Sequence, residues 1–289
     1  MRWRGVRGLS RRVWLLGLAS LLNDVSSEAI FPLLPAFLAE LGGGAALLGL
    51  VEGLADAVAA ATKVYAGRLS DRGPRRLFVV GGYALPAAAR AGIAAALAPW
   101  HVLAARVVDR LGKGVRAGPR DALLSEAAPP GEAGRAFGLL RSMDHLGAAL
   151  GRLLAAGLLA AGASVRATFA VAAAAGLVAP LLLLSRLREA RRAPAEPGPA
   201  APVPAPAAAP PPTSGSAGQG LPGRLRGYLA LAAIFALANS TDAFLLLRAR
   251  EAGVSASAVP LLWFLHHVVK TAAGLPGGAL SDRVRRGAV

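Results

Sequence analysis

Long apolar runs separated by short charged or Pro/Gly-rich turns dominate the chain. Breaking the sequence at those turns leaves eight apolar segments, each close to the roughly 20 residues that a helix needs to cross the hydrocarbon core of a bilayer. The segments cover residues 13–39, 45–68, 77–98, 100–124, 134–161, 165–185, 226–249 and 256–280. This pattern predicts an all-α membrane protein with eight spans, numbered 1 to 8 along the chain.

The balance of charge supports this interpretation. Of 289 residues, 55% are hydrophobic and 17% charged, with a formal net charge of +16 and no cysteine. The arginine clusters precede span 1, follow span 2, lie between spans 6 and 7 and follow span 8, so alternating spans place them on one side. The positive-inside rule then puts the N-terminus in the cytoplasm and the protein in the inner (plasma) membrane. Nucleic acid is excluded as a partner, because the excess charge marks topology and not a soluble basic face.

A Pro/Ala-rich stretch divides the chain. Residues 189–224 are rich in Pro, Ala, Gly and Ser, a composition that cannot bury a core and is typical of a disordered linker. We therefore predict a six-helix bundle over residues 1–188, a cytoplasmic linker over 189–224 and the start of a second bundle over 225–289.

One motif occurs on both sides of this linker. G-R-L-S-D-R closes span 2 at residues 67–72, and G-A-L-S-D-R closes span 8 at residues 278–283. A repeat at the same point of each half indicates a duplicated membrane architecture. Glycine at this place lets a neighbouring helix approach, and the arginines hold the loop at the membrane surface. The residues that carry the motif are Gly67, Asp71, Arg72, Arg75, Gly278, Asp282 and Arg283.

This motif resembles the loop signature of the major facilitator superfamily (MFS), and the resemblance implies that its seven residues are gating residues. L-L-N-D-V-S-S-E-A-I-F-P-L-L-P (21–35) and D-R-L-G-K-G-V-R-A-G-P-R-D-A-L (109–123) also look like a bacterial branch described as efflux transporters. The resemblance implies an MFS-type helical bundle with the complete six-helix N-terminal half and the first two helices of the second half. Gly73-Pro74 departs from the usual signature, and the second copy lacks its last glycine. Because twelve spans are expected, we also expect a missing C-terminal segment as a partner.

Charged residues inside the spans fall on narrow helical faces. Span 4 carries seven charged positions between Arg106 and Asp121 within less than half of the helix circumference. Each charge facing lipid near the bilayer centre would cost ~2.5 to 3.5 kcal/mol, so this stripe must face water or opposite charge. Spans 1, 2 and 5 carry similar faces. Over these four spans seven acidic residues meet eight basic ones, which predicts mutual pairing more than an electropositive pocket.

These faces supply the predicted substrate and proton pathway. Its residues are Asn23, Asp24, Glu28, Asp56, Arg106, Arg110, Lys113, Arg141, Asp144, Asn239 and Asp242. The resemblance implies that spans 1 and 4 line a central cavity and that an arginine of span 4, best matched by Arg106, is a site residue. Asp24 and Glu28 are then the candidate proton carriers. G-A-A-L-G at 147–151 permits tight helix contact, although Arg152 stands where the antiporter signature of the superfamily has proline.

The sequence contains no phosphate loop, nucleophile elbow or catalytic carboxylate pair, so we expect neither an enzyme nor a cofactor or metal site. By resemblance, the first hypothesis is a secondary transporter that exports a small organic compound in exchange for protons. Two alternatives stay open: proton symport of an anionic solute, favoured by Arg106, Arg110 and Lys113, and a non-functional or partner-requiring fragment of a transporter. The expected partners are a small-molecule substrate, protons and the lipid bilayer.

Overall fold

The computed structural model describes residues 8–71, 73–187, 223–238 and 258–281 of the chain. Within these residues every regular element is a helix, which confirms the all-α prediction. The helices are α1 (Arg11–Ile30), α2 (Leu34–Glu40), α3 (Ala45–Ser70), α4 (Arg75–Ala94), α5 (Pro99–Ala127), α6 (Ala133–Ala160), α7 (Val165–Arg186), α8 (Gly223–Ala238) and α9 (Ala258–Ser281).

The helix bounds follow the predicted spans closely. Span 1 corresponds to α1 and α2, spans 2 to 6 correspond to α3 to α7, the described part of span 7 is α8, and span 8 is α9. Three helical stretches among the described residues are long and apolar enough to cross a membrane: Arg11–Glu40, Arg75–Ala94 and Val165–Arg186. Helices α3 and α5 carry more charged residues, and Arg106 and Arg110 of α5 pair with Glu52 and Asp56 of α3.

The first span bends where its prolines predict. Pro32 and Pro35 remove backbone donors, and the α-helix gives way to a 3-10 turn over Phe31–Leu33 before α2 continues. Ser10 begins α1 as an N-cap, because its hydroxyl accepts the Val13 N–H at 3.4 Å. Before this turn, α1 packs along α6 and α7.

Glycines and small residues let α5 pack closely between α3 and α4. A Cβ on Gly112 would collide with the ring of Pro86 in α4, whereas a Cβ on Gly114 would meet Thr62 and the Ala59 carbonyl in α3. Successive residues of a helix point about 100° apart, so Lys113 between these two glycines points away from both neighbours. The tight contacts on two faces therefore fix the orientation of the charged third face of α5.

Helices α1 and α6 approach each other in a similar way. A Cβ on Gly147 would collide with the Leu21 carbonyl, and one on Gly151 with the Val25 carbonyl, both in α1. The small-x-x-x-small prediction for G-A-A-L-G is thus confirmed as a close backbone contact.

Helices α1 to α7 and the described residues from Pro260 onward belong to one compact unit, and α8 belongs to another. Large apolar side chains such as Leu50, Tyr65 and Leu181 remain exposed on the helices, as expected of surfaces that meet hydrocarbon chains. The division into 1–188, 189–224 and 225–289 stays a prediction, since residues 188–222 lie outside the described part of the chain.

Candidate functional site

A polar cavity of about 420 Å³ lies among α1, α3, α5 and α6. Its volume is within the range of small-molecule sites, roughly 300 to 1,000 Å³. The predicted pathway residues that line it are Asn23, Asp24, Glu28, Arg106, Arg110, Lys113, Arg141 and Asp144. Asp56 lies just outside the lining and pairs with Arg110 at 3.5 Å, while Asn239 and Asp242 lie outside the described residues.

The first three charged residues on this face of α5, Arg106, Asp109 and Arg110, form a ladder of ion pairs with α3 and α4. Arg106 Nη2 lies 2.7 Å from Glu52 Oε1, and its Nε donates to the same oxygen at 3.0 Å. Arg110 lies 3.7 Å from the other Glu52 oxygen. These arginines are therefore held by carboxylates of α3 and have little charge left for a ligand.

Arg90 of α4 forms the most buried ion pair of this ladder. Its Nη2 lies 3.0 Å from Asp109 Oδ1, and both side chains are almost fully buried. Arg90 also donates to the backbone carbonyl and to Oδ1 of Asn23, both at 3.2 Å. A single guanidinium thus ties α1, α4 and α5 together. Arg90 was not among the predicted site residues, although an arginine inside the apolar run of span 3 is a detectable signal.

The rest of the stripe contacts α1, α4 and its own helix. Arg116 donates to the Gly82 carbonyl at 2.9 Å, and its guanidinium stacks 4.6 Å from the Tyr83 ring centroid. Arg120 pairs with the neighbouring Asp121 at 3.0 Å and donates to Ser20 Oγ at 3.2 Å. Arg116 consequently has a carbonyl and an aromatic ring as partners instead of a carboxylate.

Carboxylates of α1 and α6 complete the opposite wall. Arg152 of α6 pairs with Glu28 at 2.5 Å, and Arg141 pairs with Asp144 at 3.3 Å. Ser20 donates to Asp144 at 2.5 Å. Glu28, one of the two predicted proton carriers, is therefore held in an ion pair.

Asp24 and Lys113 differ from these paired residues. Asp24 accepts a hydrogen bond from the Asn23 amide at 2.9 Å. Among the described residues, no lysine or arginine nitrogen lies within 4.0 Å of its carboxylate. The ammonium group of Lys113 likewise has no hydrogen bond or ion pair in that part of the chain, and its side chain is exposed to the cavity.

The near balance of acidic and basic residues that the sequence predicts does not hold for the lining of the cavity. Among the described residues, eight lysines and arginines line the cavity against five carboxylates, an excess of three positive charges. The excess arises because Glu52 and Asp56 are not part of the lining, whereas the number of basic residues stays at eight: Arg90, which the count omitted, belongs to the lining and Arg152 does not. The predicted mutual pairing itself is confirmed, since the other four lining carboxylates, all except Asp24, each have an arginine partner.

Helix α9 contacts the bundle along α6. Ser142 Oγ donates to the Thr271 carbonyl at 2.9 Å, and the rings of His145 and His267 meet edge to face at 5.3 Å. A Cβ on Gly278 would collide with the Gly134 carbonyl of α6. The prediction that Gly278 lets a neighbouring helix approach is thus confirmed.

Comparison with known proteins identifies the family. The sequence profile of the Major Facilitator Superfamily matches residues 16–289. The chain belongs to the Major Facilitator Superfamily. It is therefore a membrane protein of a transporter family, which is not a family of enzymes.

Several MFS relatives are similar over all or part of the chain. An uncharacterized MFS-type transporter of Methanocaldococcus jannaschii is 32% identical over 98% of this chain and 69% of its own length. An uncharacterized protein of Mycobacterium bovis is 36% identical over 52% of this chain and 37% of its own length. The multidrug resistance protein MdtH of Edwardsiella ictaluri is 32% identical over 51% of this chain and 37% of its own length.

The MFS loop signature links three helices at one end of the bundle. Arg75 pairs with Asp71 at 3.5 Å and also with Glu126 of α5. A Cβ on Gly118 of α5 would lie 3.4 Å from the Gly67 Cα, an ordinary contact distance, and a Cβ on Gly67 itself would have no atom of the described residues within 4 Å. The predicted close approach of a neighbouring helix at Gly67 is therefore not found in the described part of the chain. Arg72, Asp282 and Arg283 lie outside the described residues, and the gating role of the motif stays a prediction.

Proposed function

We propose that this protein is a proton-coupled secondary transporter that exports a small organic compound by alternating access, with Asp24 as the proton carrier. The supporting observation is the isolation of Asp24: it alone among the carboxylates that line the cavity has no basic partner within the described residues. A carboxylate held by a guanidinium stays ionised, because the adjacent positive charge favours that form. A carboxylate without such a partner can gain and lose a proton as the cavity changes its exposure to water.

Export as the direction of transport is supported by the names of relatives. The relative MdtH is described as a multidrug resistance protein. Exchange of an outgoing compound for an incoming proton needs one site where the two compete, and an isolated carboxylate in a cavity can provide it. We place the protein in the inner membrane with its N-terminus in the cytoplasm, as the arginine distribution predicts.

Proton symport of an anionic solute is the second candidate. It is favoured by the excess of three positive charges in the cavity lining. Such a cavity attracts anions and disfavours the organic cations that many exporters remove.

Transport into everted membrane vesicles tests the first candidate. Vesicles acidified inside by respiration would be offered ethidium, Nile red and fluorescein as cationic, neutral and anionic probes. We expect accumulation of at least one probe, its loss on adding an uncoupler, and loss of more than about 90% of it in Asp24→Asn, because the amide cannot carry a proton. Glu40→Gln is the control, since Glu40 is an exposed carboxylate at the end of α2 outside the cavity.

Two results would change the proposal. Accumulation that persists in Asp24→Asn would remove the role of Asp24. Uptake of fluorescein only into right-side-out vesicles acidified outside, and never into everted ones, would replace export by symport.

A further inference from the structure

Three basic side chains in the lining of the cavity have no carboxylate partner in the described part of the chain. Arg90, Arg106, Arg110, Arg120 and Arg141 each have an acidic partner within 4.0 Å. Lys63, Lys113 and Arg116 have none among the described residues. Of these three, Arg116 is occupied by the Gly82 carbonyl and the Tyr83 ring. The two lysines are therefore the groups with unused hydrogen-bond donors.

Lys113 is held in position by its backbone. Gly112 contacts α4 and Gly114 contacts α3 without room for a Cβ, so the α5 backbone cannot rotate at this point. The Lys113 side chain leaves the helix between these contacts and reaches the cavity, where Lys63 of α3 also lines the wall. A charge inside a membrane bundle is costly unless it meets water or an opposite charge. The cavity beside Lys113 therefore suits an anion.

We propose that the transported compound carries an acidic group, a carboxylate, phosphonate or sulfonate, which Lys113 binds with the help of Lys63. Lysine binds such oxyanions as a compact point charge with three donors. The cavity of about 420 Å³ has room for an organic skeleton beside that group. This inference rests on the proposed proton-coupled transport through the cavity. It takes the second candidate, proton symport of an anionic solute, in place of export, so the ligand panel that tests it also decides between the two candidates.

Asp24 and Lys113 line the same cavity, so their charges interact across it. The other charged groups near Asp24 are Glu28 on its own helix, Asp144 on α6, Arg90 on α4 and Arg116 on α5. An anion bound to Lys113 offsets the positive charge that stabilises the ionised form of Asp24, so it favours protonation of that carboxylate. By linkage, the proton then favours the anion to the same degree. Anion and proton bind together, as a symporter requires.

Binding of a ligand panel to the full protein in detergent micelles tests this inference without any gradient. The panel pairs aromatic and aliphatic carboxylates, phosphonates and sulfonates with their uncharged amides and esters and with amines of similar size, and thermal stabilisation is measured at several concentrations. We expect the stabilising compounds to be acids. Lys113→Gln should weaken their binding about 10- to 100-fold, the effect of losing one charged hydrogen bond, whereas Lys113→Arg should retain it.

The controls separate binding from folding. Arg11→Gln removes an exposed positive charge at the start of α1, outside the cavity, and should bind the acids unchanged. Lys63→Gln should weaken binding less than Lys113→Gln. If Lys113→Gln proves unstable without ligand, two results still test the anion site: acid binding by Lys113→Arg, and the preference of the unmodified protein for acids over amides, esters and amines.

The inference is overturned if amines or neutral compounds stabilise the protein as well as acids do, or if Lys113→Gln binds the acids normally. A pH indicator in weakly buffered solution then tests the link to Asp24. The unmodified protein should take up protons when the acid binds, and Asp24→Asn should bind the acid without proton uptake. Acid binding with unchanged proton uptake in Asp24→Asn would refute the proton-carrier proposal and leave the anion site standing.

Discussion

Removal of either partner of the Arg90–Asp109 pair should destabilise the bundle strongly. The pair joins α4 to α5 at 3.0 Å, with side-chain exposures of only 3% and 5%. At this distance, the attraction is about 5 kcal/mol for an effective dielectric constant near 20. Breaking a buried pair leaves an uncompensated charge, which typically costs about 3 to 5 kcal/mol.

The two single substitutions should differ in a defined order. In Arg90→Leu, Asp109 still has Arg106 at 3.7 Å, so we expect the lower end of that range, about 3 kcal/mol. In Asp109→Leu, the remaining partners of Arg90 among the described residues are the neutral acceptors of Asn23. We therefore expect the free energy of unfolding to fall by about 5 kcal/mol. The double variant leaves no stranded charge in this pair and should lose only about 1 to 2 kcal/mol, mainly through the lost hydrogen bonds to Asn23.

Equilibrium unfolding in mixed micelles of a mild detergent and SDS measures these free energies, and the four proteins form a double-mutant cycle. Arg141→Leu is a matched control, because the Arg141–Asp144 pair is also an arginine–aspartate pair but Arg141 is 59% exposed. Its loss should cost less than about 1 kcal/mol. If both buried single variants cost no more than this control, or if the double variant costs the sum of the singles, the pair does not stabilise the bundle as described.

Two further predictions concern the contact between α1 and α6. Gly151→Val should destabilise the protein by about 1 to 3 kcal/mol through overpacking against the Val25 carbonyl. Gly157→Val is the control: no atom lies within 4 Å of the added Cβ, so stability should change by under about 1 kcal/mol. Similar effects of both substitutions in the same unfolding assay would contradict the close approach. Glu28→Gln and Arg152→Gln should show a coupling energy of at least about 1 kcal/mol in a double-mutant cycle, given their 2.5 Å contact, and additive effects would show that the pair is not formed.

Most of the fold could be predicted from the sequence because the signals are local. The length of an apolar run sets the length of a span, and helix bounds such as Ala45–Ser70 and Val165–Arg186 fall within a few residues of the predicted spans. The break at Phe31–Leu33 also follows from local chemistry, since proline removes a backbone donor. Charged faces on α3 and α5 were predictable for the same reason, as helical spacing alone defines them.

The partners of those charges could not be predicted in the same way. They depend on the rotation of each helix about its axis, which is fixed by contacts between distant residues such as Gly112 with Pro86. The sequence therefore indicated that Arg106 and Arg110 would bind a ligand or a carboxylate, but not that Glu52 would hold both. Arg90 escaped notice because a single charge forms no face, and its importance appears only when Asn23 and Asp109 are seen beside it.

Arginines and lysines of the cavity lining have different roles: the arginines hold the helices together, and the lysines are available to a ligand. The chain has three lysines, and two of them, Lys63 and Lys113, line the cavity without a carboxylate partner in the described residues. The arginines of the lining have protein partners, among them the multiple contacts of Arg106 with Glu52. A planar guanidinium is suited to such fixed contacts, whereas a flexible ammonium group can follow a ligand as the site changes shape. Lys113→Arg should therefore retain affinity for an acid while slowing its release, and equal turnover of the two proteins would show that this flexibility has no role.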